Sequence, residues 1–136
     1  MQVGMMMVFA SYGWEDCPDA RVWDEEIMLA RLAADLDFDC LWSDEHHFND
    51  YSFVPDNLQL MTYLTALCPG VDLGTAAVIV PWHDPLRVAE QAAVLDMLSK
   101  GRLPASISGA AWRGASSPPS ASAWTSRVSA STKRHR

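Results

Sequence analysis

Four consecutive polar residues, Asp44-Glu45-His46-His47, place two carboxylates beside two imidazoles. Because a histidine side chain titrates near neutral pH, His46 is the best candidate for general acid–base chemistry in this chain. Glu45 or Asp44 could orient its ring. The plainer interpretation, two solvated histidines in a polar loop, stays open, since a local motif is a hypothesis until its structural context is known.

A metal site is another interpretation of the same part of the chain. Four side chains offer nitrogen and oxygen ligands: His46, His47, Glu45 and His83. Adjacent histidines usually point apart at the end of a strand, and the sequence contains neither an HxH nor an HExxH motif. The sequence therefore predicts no metal ion here.

The polar run follows a short apolar segment that predicts a strand over residues 38–43. Continuous apolar runs predict two further strands, over residues 2–10 and 71–80, of the kind buried on both faces. In parallel α/β folds, ligands bind where such strands end. The polar run therefore lies where chemistry is expected.

Helical spacing of apolar residues fills the intervals between these strands. The predicted start signals are an N-cap at Asp19, an N-cap at Asp56 and the pair Asp84-Pro85. Lys100-Gly101 ends the third helix. Three βα units with right-handed crossovers predict an α/β fold with a parallel sheet, which could begin a TIM barrel or a doubly wound sheet. No GxGxxG follows the first strand, which argues against a dinucleotide-binding fold.

Small residues in the third strand, Gly74-Thr75-Ala76-Ala77, would let a flat ring approach the backbone. A glycine inside a strand often marks close approach by a ligand or by another segment. Tight packing of a helix on the sheet explains the same residues. Four aromatic side chains could line an apolar pocket nearby: Trp42, Phe48, Tyr51 and Trp82.

Composition narrows the class of protein. The net charge of −7 argues against non-specific nucleic-acid binding. No apolar run reaches the roughly 18 residues of a membrane-spanning helix, so no membrane association is expected. The three cysteines, Cys17, Cys40 and Cys68, form neither a CxxC motif nor an obvious disulfide framework, which is typical of the reducing cytoplasm.

A boundary near residue 103 divides the chain into two predicted parts, 1–103 and 104–136. All 17 acidic residues lie at or before Asp96, whereas residues 104–136 hold five basic residues, nine serines and seven alanines. Such a composition cannot bury enough apolar area to offset the entropy of ordering the chain. The second part is therefore predicted to be an irregular, disordered basic tail.

Residues 1–103 resemble the N-terminal portion of the bacterial luciferase-like flavin-dependent monooxygenases. Five segments carry the resemblance, in order and at family-like spacing: Phe38-Asp39-Cys40-Leu41-Trp42, Glu45-His46-His47-Phe48, Leu73-Gly74-Thr75-Ala76-Ala77, Pro85-Leu86-Arg87-Val88-Ala89-Glu90 and Leu95-Asp96-Met97-Leu98-Ser99-Lys100-Gly101-Arg102. They span only the first part of a typical family member.

The resemblance implies the first three βα units of a TIM barrel that uses reduced FMN and oxygen to oxidise an aldehyde or another small organic substrate. A separate flavin reductase and a dimer of the full-length protein are implied as partners. His46 would be the catalytic acid/base, and Ala76 and Ala77 the pair whose cis peptide lies against the flavin. Glu45 would contact the flavin or orient His46. The alternatives are a deazaflavin-dependent oxidoreductase of the same superfamily and a non-catalytic half-barrel that needs a partner.

The sequence departs from the family after Leu103. The family continues with a strand and a Gly-Arg-Gly turn whose arginine holds the FMN phosphate, a charge-assisted contact. Shifting the reading frame by one base permits Leu-Gly-Arg-Gly-Leu where the chain has residues 108–112. We therefore expect residues 104–136 to be out of frame and this chain to be an inactive fragment.

Overall fold

Parallel strands form a single sheet in the computed structural model of the chain, which describes residues 1–103 and the backbone of residues 106–109. The strands are β1 (Gly4–Met7), β2 (Cys40–Ser43), β3 (Asp72–Ile79) and β4 (Ser106–Gly109). Their order in the sheet is β1-β2-β3-β4, and every neighbouring pair is parallel. The predicted parallel α/β architecture is confirmed. The strands β1, β2 and β3 are shorter than the apolar runs from which they were predicted.

A helix follows each of the first three strands. The helices are α1 (Asp19–Asp35), α2 (Asn57–Leu67) and α3 (Pro85–Ser99), and a 3-10 turn, Val80–Trp82, separates β3 from α3. Repeated strand–helix units that pair in parallel are the construction of a βα barrel wall.

Two of the three predicted helix starts are confirmed. The Asp56 carboxylate accepts a hydrogen bond from the Gln59 N–H, and the Asp84 carboxylate accepts from two N–H groups of the first turn of α3. The N-cap prediction at Asp19 is wrong. Pro18 precedes α1 without a side-chain cap, and the Asp19 carboxylate instead accepts a hydrogen bond from the Ser11 hydroxyl at 2.8 Å. A nearby hydroxyl donor competes here with the helix terminus for the same carboxylate.

The core lies between one face of the sheet and the helices. Alternate strand residues such as Leu41 and Leu73 are fully buried against apolar side chains of the helices, among them Met61 and Leu64. Side chains of successive strand residues point to opposite faces, so the intervening residues lie on the other face of the sheet. Met6, on that second face, is 47% exposed.

The glycine of β3 makes room for a tryptophan. A Cβ atom on Gly74 would lie 2.5 Å from a ring carbon of Trp42, its register partner in β2. The close approach that this glycine predicted is therefore made by the indole of the neighbouring strand, and no ligand is needed to explain it.

A fourth strand, β4, lies inside the segment that composition predicts to be irregular. Ser106–Gly109 pairs in parallel with β3, whose second edge is open to a partner. Strand pairing depends on the partner edge as much as on composition, which explains why composition alone missed it. The remaining predictions for the tail, residues 104–105 and 110–136, lie outside the described residues.

Arg102 joins the ends of two helices to the start of β3. Its guanidinium donates hydrogen bonds to four backbone carbonyls at 2.6–3.0 Å. The acceptors belong to Thr65, Cys68, Val71 and Ser99. Backbone carbonyls at the carboxyl end of a helix have no hydrogen-bond donor within the helix. The planar guanidinium of an arginine can donate to several of them at once.

The cysteines of the chain are all free. Burial raises the pKa of the Cys40 thiol to about 11, and the carboxylates of Asp72 and Asp39 raise it further. At neutral pH this thiol is therefore protonated and weakly nucleophilic.

Among residues 1–103 and 106–109, no helix combines the length and apolar character that crossing a bilayer requires.

A candidate active site at the carboxyl ends of β2 and β3

His46 and the Ala76–Ala77 pair lie toward the same, carboxyl-terminal end of the sheet. His46 comes three residues after Ser43, the last residue of β2. Ser43 pairs in register with Thr75, the residue before Ala76 in β3. The Asn57 amide nitrogen lies 3.3 Å from the Ser43 carbonyl oxygen and 3.2 Å from the Ala77 carbonyl oxygen. One side chain at the start of α2 thus bridges the ends of the two strands.

The Ala76–Ala77 peptide bond is cis, as the resemblance implies. Both alanines are partly exposed at the end of the sheet. Because their side chains are single methyl groups, the backbone here is accessible to a flat group from solvent.

His46 is held beside Asp44 and remains open to solvent. Its Nε2 lies 3.6 Å from an Asp44 carboxylate oxygen, and its side chain is 44% exposed. The backbone N–H of His46 donates to the Val54 carbonyl at 3.2 Å, and its ring meets Tyr51 edge-on at 5.4 Å between centroids. The buried Asp44 carboxylate also accepts a hydrogen bond from the Ser52 hydroxyl.

Glu45 has different partners. Its side chain is fully buried, and one carboxylate oxygen accepts from His47 Nε2 at 2.6 Å and from His83 Nε2 at 2.7 Å. The other oxygen accepts the Ile79 N–H at 2.9 Å. Of the two carboxylates that could orient His46, Asp44 is the one beside it. Neighbouring residues in extended backbone point in opposite directions, which separates Asp44 and His46 from Glu45 and His47.

These hydrogen bonds decide the charge of Glu45. Burial by itself would raise the pKa of this carboxyl, but the bonds from His47, the Ile79 N–H and His83 outweigh burial and bring the pKa below its ordinary value. Glu45 is therefore a carboxylate at neutral pH despite its burial.

The four predicted aromatic residues do not form one pocket. Trp82 stacks on the His47 ring, with 4.5 Å between centroids and 8° between planes, and Phe48 lies beside both rings. Tyr51 belongs to the His46 side, and Trp42 covers Gly74 within the sheet. The aromatic residues thus lie in three places: Trp82 and Phe48 beside His47, Tyr51 beside His46, and Trp42 within the sheet.

Sequence reasoning missed Asn57. The residue is 1% exposed, and its Oδ1 atom has no hydrogen-bond donor within the described part of the chain. The available signal was a polar residue at the first position of the helix, directly after a capping aspartate and just before the apolar residues that form the buried face. Buried amides are normally hydrogen-bonded, so the bridge made by its nitrogen is what holds this side chain at the site.

Acid should weaken the fold through Glu45. A carboxyl whose pKa is lower in the folded state stabilises that state above its unfolded pKa of about 4.3, and this contribution is lost as pH falls through the folded value. We expect Glu45→Gln to flatten the decline in unfolding free energy between about pH 5 and pH 3. Urea unfolding followed by tryptophan fluorescence at several pH values measures this slope.

The matched control for that experiment is Glu25→Gln. Glu25 is exposed and paired only with Arg21, four residues earlier on α1, so its replacement should leave the slope as in the parent chain. Identical slopes for the parent and Glu45→Gln would show that the hydrogen bonds to Glu45 do not control acid stability.

Known proteins of one family are similar to this chain in sequence. A sequence profile of the family described as luciferase-like monooxygenase matches residues 1–108. The alkanal monooxygenase alpha chain of Photorhabdus luminescens is 33% identical over 76 residues, which are 56% of this chain and 21% of that protein. The oxygenase component of the flavin-dependent trigonelline monooxygenase of Acinetobacter baylyi is 30% identical over 92 residues, 68% of this chain and 26% of that protein.

A solved structure shares the fold. The oxygenating constituent of 3,6-diketocamphane monooxygenase from Pseudomonas putida, determined in complex with FMN, superimposes with a TM-score of 0.69 at 20% identity. The match covers 91% of this chain and 32% of that one. The chain thus spans less than a third of the length of the relatives that it matches. Since the profile match extends over most of the chain, the chain belongs to the luciferase-like monooxygenase family.

Proposed function

We propose that this chain is the N-terminal part of a flavin-dependent monooxygenase that uses reduced FMN and oxygen on an aldehyde or another small organic substrate. The observation that carries the proposal is that His46 follows β2 at the end of the sheet where Asn57 links Ser43, the last residue of β2, to Ala77 of β3. The flavin dependence of the trigonelline relative and the FMN bound to the diketocamphane relative agree with this choice of cofactor.

The residues at this edge fit a flavin. An isoalloxazine ring needs a flat, weakly polar surface, and the partly exposed backbone at Ala76–Ala77 offers one without large side chains in the way. Ala76 and Ala77 would hold the ring, and bound FMN would supply the oxygen-activating chemistry. Glu45 is fully buried and bound by three donors, which fixes the surrounding loops, and a contact of Glu45 with the flavin stays a prediction.

His46 would transfer a proton at the exposed part of its ring. The Asp44 carboxylate lies beside the ring, the backbone hydrogen bond to Val54 holds the loop, and the contact with Tyr51 restricts the ring. Asn57 keeps the ends of β2 and β3 at a fixed separation, so that the histidine and the alanine pair stay together. A held acid/base beside a held ring surface gives the orientation that catalysis requires.

Partners and location follow from the same proposal. One relative is an oxygenase component and another an alpha chain, which supports a separate flavin reductase and a dimeric full-length enzyme. Three unpaired cysteines agree with a cytoplasmic setting. We propose further that residues 104–136 are out of frame and that activity requires the family frame.

Titration with reduced FMN tests the proposal. Two proteins are compared anaerobically by flavin absorbance and fluorescence: the 136-residue chain, and a version whose gene is shifted by one base near the Leu103 codon to restore the family frame. We expect saturable FMN binding and oxygen-dependent product formation only from the frame-restored version. Tight binding by the 136-residue chain would contradict the frame proposal. If the frame-restored version binds a 5-deazaflavin more tightly than FMN, the deazaflavin and not FMN is the cofactor.

A further inference from the structure

We propose that Glu45, His47 and His83 form a binding site for a divalent transition-metal ion of the zinc type. These residues come from the loop after β2 and the turn after β3, so the ion would clamp two neighbouring loops together. Within the described residues they are the one set of three histidine, cysteine or acidic side chains close enough to share an ion, with all ligand atoms within 4.8 Å of one another.

The ligand atoms already converge on one point. Both Nε2 atoms lie on the same Glu45 oxygen, at 2.6 and 2.7 Å. Bonds of about 2.0–2.1 Å in a tetrahedral zinc site place ligand atoms roughly 3.4 Å apart. Each Nε2 atom therefore has to move roughly 0.7 Å further from the Glu45 oxygen to admit an ion, which small side-chain rotations supply.

Neighbouring groups hold the side chains of the cluster in fixed orientations, as they do around metal ligands. The second oxygen of Glu45 is held by the Ile79 N–H, and the His47 ring is fixed by its stack on Trp82. Outer contacts of this kind fix the orientation of metal ligands. Glu45 is fully buried, whereas the side chains of His47 and His83 are 14% and 22% exposed, which leaves the ion a path from solvent and a free position for water.

The donor set also suits a zinc-type ion. A carboxylate oxygen and two imidazole nitrogens are ligands that zinc binds, and an imidazole coordinates through a ring nitrogen that carries no proton. In the ion-free protein each ring donates its Nε2 proton to Glu45, so binding of the ion through Nε2 requires that proton to move through solvent to Nδ1 of the same neutral ring. Two imidazoles and one carboxylate, with a fourth position left to water, make a set that zinc commonly accepts.

The sequence predicts no metal partly because adjacent histidines usually point apart, and the structure agrees with that premise. The adjacent histidines do point apart, since His46 faces Asp44 and His47 faces Glu45. The second imidazole is supplied by His83, which no local spacing motif would connect to Glu45.

Calorimetric titration of the flavin-free 136-residue chain with Zn²⁺ tests the site. We expect one ion per chain, and at least about tenfold weaker binding in His47→Gln and in His83→Gln. Glutamine keeps an N–H donor for Glu45 but is a poor zinc ligand, so the hydrogen bonds and the fold are preserved. His46→Gln and His135→Gln are the matched controls and should bind as the parent chain does. Cobalt(II) should give tetrahedral absorption bands without the charge-transfer band of a thiolate ligand, which excludes the cysteines.

A second measurement uses the unchanged chain, so it does not depend on the variants folding. Zinc should protect His47 and His83, but not His46, from diethyl pyrocarbonate, as read by fragment mass spectrometry. Absence of Zn²⁺ binding by the folded parent chain would overturn the proposal and leave the cluster as a hydrogen-bond clamp. Zinc affinity that survives in both glutamine variants, or protection of His46 instead, would overturn it as well. Because no flavin is present, these outcomes are independent of the proposed monooxygenase activity.

Discussion

Replacing His46 with alanine in the frame-restored, FMN-loaded protein should reduce the rate of monooxygenation by about 10²–10⁴-fold, the usual contribution of a general acid or base. Most of the flavin affinity should remain, because we propose that Ala76 and Ala77, and not the imidazole, hold the ring. Single-turnover product formation and anaerobic flavin titration separate these two effects.

Two controls distinguish proton transfer from a structural role of His46. The side chain is 44% exposed, so free imidazole can enter the space that alanine leaves and should restore part of the rate. If His46 transfers a proton, the pH–rate profile of His46→Ala should also lack the ionisation step that this histidine gives the parent protein. Unchanged turnover in His46→Ala would remove this residue from the mechanism, and a loss of flavin binding equal to the loss of rate would make it a binding residue.

Replacing Arg102 with alanine should cost about 2–4 kcal/mol of unfolding free energy, since a hydrogen bond to a charged group contributes about 1.5–3 kcal/mol and its loss leaves carbonyl groups without a donor. Four carbonyls around the carboxyl ends of α2 and α3 lose the same donor. Arg102→Lys should recover only part of the loss, because an ammonium group cannot reproduce the planar fork. Urea unfolding measures all three proteins.

The matched control is Arg87→Ala on α3. Arg87 is 78% exposed at its side chain and pairs only loosely with Glu90 at 3.4 Å, so we expect a change within about 0.5 kcal/mol. Equal losses for Arg102→Ala and Arg87→Ala would show that the carbonyl contacts of Arg102 add nothing to stability.

Local signals predicted the elements of this fold well. Apolar runs located β1, β2 and β3, and the capping residues Asp56 and Asp84 located two helix starts, because a strand or a helix start is encoded within a few residues. The same logic failed at Asp19, where the hydroxyl of Ser11 lies in a preceding loop and takes the carboxylate. It also gave no indication that Arg102 would reach carbonyls 31 to 37 residues earlier in the chain.

The site was predictable in position but not in its pairings. The sequence placed His46 and the alanine pair at the ends of neighbouring strands, and the fold brings them to one edge. The pairing of Asp44 with His46 and of Glu45 with His47 follows from the alternating side-chain directions of extended backbone. Glu45 also binds His83, which lies 38 residues further along the chain. The roles of His46, Glu45, Ala76 and Ala77 toward the flavin stay predictions.

The order of the strands has a consequence for how the chain is made. Each strand pairs with the strand that precedes it, with register partners separated by 36 residues from Gly4 to Cys40 and by 32 from Cys40 to Asp72. The sheet can therefore grow in the direction of synthesis, one unit at a time, at a modest and repeated cost of loop closure. Arg102 interrupts this regularity. The carbonyls of Thr65, Cys68 and Val71 receive its hydrogen bonds only after residue 102 has left the ribosome, so the second and third units are secured together and not in turn.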